Sequence, residues 1–200
     1  MTVQQPPEPP KTDLADKLLA GGVSSIPLAG GLAAAWYQHL MEGPYNKRLE
    51  AWRATITDAV NELAEKYDDL LDNEVFLDAF VNATRAAQAT HQQEKLDALR
   101  NAVLNSVASD APDVDEQARF FRLVEQFSAA HVLLLARLGG GHRGSIYDAF
   151  PEPDSRREWR DLLIADLAGA RLINVSIDGF HSAEVTGLGR RFLGFISEAN

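Results

Sequence analysis

Two arginine–histidine pairs in this 200-residue chain are spaced so that they could do acid–base work on RNA. Arg85 and His91 bracket RAAQATH, and Arg137 and His142 bracket RLGGGH. A histidine near neutrality can move protons while an arginine steadies phosphate charge in the transition state, a division of labour found in all-helical ribonucleases. Spacing alone is weak evidence, because 14 arginines and five histidines in 200 residues produce about one such pair by chance. Gly139, Gly140 and Gly141 would fray a helix presenting Arg137 with His142. Arg85 and His91, read on a helix, are the pair retained, and a solvated helix face is the plainer reading of them.

Other chemistry finds less support. His39, His91, His131, His142 and His181 are scattered, with no two at the four-residue spacing that puts ligands on one helix face. His131 falls in an apolar run and is expected to be a hydrogen-bonded core histidine. The glycine-rich stretch from Gly139 to Gly144, GGGHRG, lacks the preceding strand and the lysine-serine ending of a phosphate-binding loop, so it reads as a connection. The absence of cysteine excludes disulfides and thiolate sites. No metal, cofactor or small-molecule substrate is expected.

Arginines offer a nucleic-acid face. Arg156, Arg157 and Arg160 open a helix, and Arg171, Arg190 and Arg191 lie where they could reach phosphates. Asp154, Glu158 and Asp161 share that helix, however, and Asp178 and Glu184 follow, so a duplex would meet mixed charge. The net charge of -10 disfavours nucleic acid further. It is unevenly spread: Met1 to Ser128 carries a net of -9, and Ala129 to Asn200 a net of -1 with all its basic residues arginine.

Between Lys17 and Glu42 no residue is charged, a length that could cross a bilayer. Pro27 and the paired glycines Gly21-Gly22 and Gly30-Gly31 break it into two short helices, about Leu14 to Ala20 and Leu28 to Met41. Leu28, Gly30, Gly31, Leu32, Trp36 and Tyr37 are the candidate contact residues of this hairpin, for a membrane or for a partner. Soluble packing is the plainer reading, because a kinked, glycine-rich centre leaves backbone amides unsatisfied in lipid.

These residues must be positioned by helices. Leu49, Trp52, Ile56, Ala59, Leu63 and Leu70 follow three-and-four spacing and predict a helix from Asn46 to Leu71. Asn73 can cap a second from Glu74, with Val75, Phe76, Ala79, Phe80, Ala83 and Ala87 inward; it either bends near His91 or runs on through Leu96, Leu99, Val103 and Val107. The acidic SDAPDVDE, Ser109 to Glu116, stops it. A helix from Glu116 to Phe127 follows, and then Ser128 caps AAHVLLLARL. Ser155 and Glu158 form a capping-box pattern before a helix burying Trp159, Leu162, Leu163 and Leu167 and ending at Gly169. Arg171 to Ile177 is strand-like, Asp178-Gly179 a turn, Phe180 to Val185 a returning strand, and Thr186 caps a last helix with Leu188, Phe192, Leu193 and Ile196 inward. The fold class is mainly α: a proline-rich arm over residues 1–12 expected to be disordered, a helical domain over 13–127 with the apolar hairpin at 13–42, and a winged-helix-like module with a two-stranded hairpin over 128–200.

The tail, "DLLIADLAGARLINVSI" and then "AEVTGLGRRFLGFI", resembles the end of the bacterial abortive-infection alpha-type proteins and of related helical families. Gly169, Leu172 and Ile173 correspond to their "G-x-L-I" strand entry, and Thr186, Gly189 and Phe192 to their "T-x-x-G-x-x-F" closing helix. The chain departs from that pattern by one residue, since Ala170-Arg171 follow Gly169. The resemblance implies phage defence or toxicity control and brings no active-site set. The expectation is a non-enzymatic, cytoplasmic interaction protein acting by partner binding or self-association. A membrane-active effector using hairpin 18–41, a winged-helix DNA-binding regulator and, least of all, a HEPN-like ribonuclease using Arg85 and His91 are the alternatives.

Overall fold

A computed structural model describes residues 44–67, 70–141, 145–149, 151, 153–176 and 182–198. Helix α1 runs Pro44–Lys66, opening on a proline whose missing N–H has no partner to lose in a first turn. It buries Trp52, Ile56, Ala59, Val60 and Leu63 on one side. It ends at Lys66, before the expected Leu71, and Asn73 takes an extended backbone to cap the next helix. A 3-10 turn, Leu70–Asp72, leads into that cap and delivers Leu70 to the core.

Helix α2, Glu74–Gln88, starts where the Phe76 N–H donates to Asn73 Oδ1 at 3.1 Å. Its Thr84 accepts the buried Trp52 indole N–H at 3.0 Å, so the largest side chain of α1 enters the core with its polar atom satisfied. The long pattern through His91 is two helices. The Gln92 N–H donates to Thr90 Oγ1 at 3.1 Å in the link, and α3, Gln93–Asn105, folds back on α1 and α2. Helix α4, Val114–Gln126, begins two residues earlier than expected, because Asp113 Oδ1 accepts the Glu116 N–H at 2.9 Å.

Helices α5, Ala129–Gly139, α6, Ile146–Ala149, and α7, Arg157–Gly169, precede the antiparallel pair β1, Ile173–Val175, and β2, Ala183–Val185, and then α8, Gly187–Ile196. Ile173 pairs with Val185, Asn174 with Glu184 and Val175 with Ala183; the Asp178-Gly179 turn lies outside the described residues. The fold is thus mainly helical, with one small hairpin near the C-terminus. Two local expectations fail in α7. The Arg156 N–H donates to the Pro153 carbonyl at 2.8 Å, winding Asp154–Arg156 into a 3-10 turn, so Ser155 sits inside a turn and caps nothing. Leu162, expected inward, is 48% exposed.

The exit from α7 explains the extra residue after Gly169. The Leu172 N–H donates to the Leu167 carbonyl and the Arg171 N–H to the Ala168 carbonyl, each at 3.0 Å, which is the paired pattern of a Schellman ending. The left-handed position of that motif, usually glycine, is filled here by Arg171 at φ 62°, while the glycine stands two places too early. An L-residue in this conformation costs about 1–2 kcal/mol, and glycine returns part of the difference through unfolded-chain entropy. Arg171→Gly is therefore expected to raise stability by about 0.5–1 kcal/mol. A denaturant midpoint no higher than wild type would refute it.

One core unites both parts of the chain, so Ser128 marks a corner and not a gap. Phe120 of α4 meets Phe192 and Phe195 of α8 with ring centroids 5.3 and 5.6 Å apart. Two asparagines of α3 reach over to the end of α8: Asn101 Nδ2 donates to the Ile196 carbonyl at 3.2 Å, and Asn105 Nδ2 to those of Phe195 and Ser197, both at 2.9 Å. These amides satisfy carbonyls that a helix end leaves without intrahelical partners.

Candidate functional site

The structure separates the residues of the ribonuclease reading. Helix α2 ends at Gln88, so Arg85 stands in its last turn while His91 lies in the link that follows, and both side chains are exposed. The expectation that one helix presents the pair is therefore corrected: Ala89 caps α2 before the sixth residue is reached. In the second pair Arg137 Nη1 donates to the Ala149 carbonyl at 3.0 Å, and His142 lies outside the described residues. Among the described residues no group of three or more histidines and carboxylates could hold a metal.

The arginines of the nucleic-acid reading disperse into separate tasks. Arg156 and Arg157 are exposed, the latter 3.9 Å from Asp161. Arg160 lies over the Tyr147 ring, 4.3 Å from its centroid, with its side chain only 13% exposed. Arg190 Nη1 donates to the Val185 carbonyl at 2.9 Å. Arg191 forks onto the Glu116 carboxylate through Nη2 at 2.7 Å and Nε at 3.0 Å, binding α8 to α4. Arg171 is exposed at its left-handed turn.

Leu28, Gly30, Gly31, Leu32, Trp36 and Tyr37 lie outside the described residues. Among the described residues no helix is long and apolar enough to cross a membrane.

His131 is the histidine with a built environment. It is 5% exposed, its ring stacks on Phe127 at 4.8 Å between centroids, and Trp159 stands edge-on at 6.4 Å. The Ser128 N–H donates to its Nδ1 at 3.1 Å, and Ser128 Oγ lies 2.9 Å from the same nitrogen. Since that N–H can only donate, Nδ1 must accept; Nε2 then carries the proton and donates to Asp166 Oδ2 at 3.2 Å. The result is a capping box with histidine in the place usually taken by glutamate or glutamine, extended into a bridge from α5 to α7. Burial pushes the His131 pKa below its ordinary value; Asp166 opposes that and the Lys95 ammonium reinforces it. Neutral imidazole is the form this pocket favours.

Ser128, His131 and Asp166 together have the connectivity of a nucleophile, base and orienting carboxylate. The backbone N–H of the same serine already occupies the base nitrogen, and two aromatic rings flank the imidazole, so the arrangement works as a clamp. Its signal in the sequence was Ser128 followed three residues later by His131, unread because a capping box is sought with Glu or Gln.

The outward sides of the two clamped helices carry apolar surface. Leu133 of α5 is 46% exposed and Leu162 of α7 is 48% exposed, with Ala136 and Ala165 exposed beside them. Arg157, Glu158 and Asp161 flank Leu162 with both signs of charge. No family model, curated protein or solved structure matches the chain.

Proposed function

We propose that this chain is a non-enzymatic interaction protein that works by self-association through the outer sides of α5 and α7. The observation that carries the reading is the pair of half-exposed leucines, Leu133 and Leu162, on two helices that pack on each other. Leu133 lies across α5 from its buried His131, Leu135 and Leu138, and Leu162 stands at the margin of the α7 stripe, one residue before buried Leu163. A two-fold contact needs a self-complementary patch, and the acidic and basic residues beside Leu162 provide one within a single surface. The resemblance of the tail to abortive-infection alpha-type proteins supports a setting in bacterial phage defence or toxicity control. Its shared residues Leu172, Thr186, Gly189 and Phe192 are packing residues in this structure, so no catalytic role comes with them.

Sedimentation over a concentration series tests the reading. The wild-type chain, 21.9 kDa, should move toward twice that mass as concentration rises, and the Leu133→Glu, Leu162→Glu double variant should stay at the mass of one chain. A wild type that remains single up to about 100 μM, a concentration at which a weak micromolar dimer is mostly formed, would overturn it.

A further inference from the structure

We propose that the Ser128–His131–Asp166 bridge is an acid-sensitive latch: it ties the first turn of α5 to α7 while the imidazole is neutral, and releases the Ser128 backbone N–H when the imidazole takes a proton. The argument is geometric. Nδ1 is the nitrogen that accepts, and the group donating to it is a backbone N–H at 3.1 Å. A proton added at Nδ1 sets two donors facing each other at the Ser128 N–H and turns the Ser128 hydroxyl, 2.9 Å away, from donor to acceptor, while the Nε2–H to Asp166 survives and gains charge. Protonation therefore frees the Ser128 backbone N–H and tightens the Asp166 contact, so the α5 cap exchanges its backbone hydrogen bond for one to the Ser128 hydroxyl while the α7 contact holds.

The surroundings decide where this happens. From α7 the ring faces the Asp166 carboxylate, which favours the proton, and Trp159, which does not ionise. From α3 it feels Lys95, whose Nζ is held by the Glu125 carbonyl at 2.9 Å and whose charge disfavours a second cation. Phe127 covers one ring face and removes water from it. Burial outweighs Asp166, so the latch opens below the ordinary imidazole value of 6.5.

The sign for stability follows. The unfolded chain takes up the proton first as pH falls, so the contribution of neutral His131 is complete above about pH 6.5 and drains as pH drops through the lower folded-state value.

Proton and nitrogen NMR on the full chain tests the latch. The His131 ring should titrate below pH 6.5, and the Ser128 amide should shift with the same midpoint. On the acid side its exchange, corrected for intrinsic rate, should quicken about tenfold, the effect of losing one buried hydrogen bond. His131→Gln keeps an acceptor at the capping position and cannot titrate, so it should fold and lose the acid response of Ser128. Asp166→Asn should lower the imidazole midpoint further. A Ser128 amide that ignores the ring titration, an acid response that persists in His131→Gln, or an unmoved midpoint in Asp166→Asn would each overturn the latch.

Discussion

Gly189→Ala is expected to cost about 3 kcal/mol or more, at or beyond the top of the usual range for overpacking. A Cβ at this position would collide with the Leu172 carbonyl oxygen and stand 2.8 Å from Val185 Cγ1. The first of these is backbone, already accepting the Thr186 N–H at 2.9 Å, so it has no rotamer through which to yield. Relief would require α8 to move off the hairpin, and α8 is pinned at both ends. At its start Thr186 Oγ1 accepts the Gly189 N–H at 2.9 Å and donates to the Arg171 carbonyl at 2.8 Å; at its finish Asn101 and Asn105 hold its carbonyls. For a chain of this size such a loss lowers the thermal midpoint by roughly 6–12 °C, readable by calorimetry. Gly194→Ala, where a new Cβ meets nothing within 4 Å, is the control and should leave the midpoint unchanged or slightly higher. Equal behaviour of the two variants would refute the close approach of Gly189 to the Leu172 carbonyl.

That contact also shows why some of this fold was legible and some was not. Periodicity found the helices wherever one stripe of side chains meets one core, as with Trp52, Ile56, Ala59 and Leu63 in α1. Caps with short side chains were legible too, because Asn73 and Thr186 act within three residues of themselves. Boundaries went astray where two local hydrogen-bonding patterns competed for the same residues. The Pro153 carbonyl overrode the Ser155 cap by drawing Asp154–Arg156 into a 3-10 turn. Leu162 follows the apolar spacing of α7 faithfully, yet it is left 48% exposed, and spacing carries no information about which neighbours the fold supplies. The candidate site suffered most. Asp166 lies 35 residues from His131, and local pattern does not reveal such a partner. The arginines could be counted, but only the fold tells that Arg191 is held by Glu116 and Arg160 by the Tyr147 ring.

Phe120→Ala should be equally severe, costing about 3–5 kcal/mol, and its value lies in where the loss is felt. Phe120 is fully buried on α4, yet two of its ring neighbours, Phe192 and Phe195, belong to the last helix. Composition shifts near Ser128, where the basic residues pass from lysine with arginine to arginine alone and the net charge from -9 to -1, and a sequence reading divides the chain there into two modules. The packing joins them: α8 lies against α3, Arg191 against Glu116, and Asn105 against the end of α8. Two single-tryptophan backgrounds separate these views. Trp52 in α1 reports on the first part and Trp159 in α7 on the second. If the core is one cooperative unit, both probes lose signal at one denaturant midpoint, and Phe120→Ala lowers that midpoint equally for each. Were the parts independent, truncating Phe120 would unfold Trp52's surroundings early and leave the Trp159 transition where it was. A shared transition has a consequence for α5 and α7, because their exposed leucines then stand on a support that reaches back to α3 and α4. Their relative position is set by the whole core as well as by His131. The double glutamate variant that abolishes self-association should accordingly leave the unfolding free energy within about 0.5 kcal/mol of wild type when both are measured at a dilution where the wild type is a single chain, since it changes only surface.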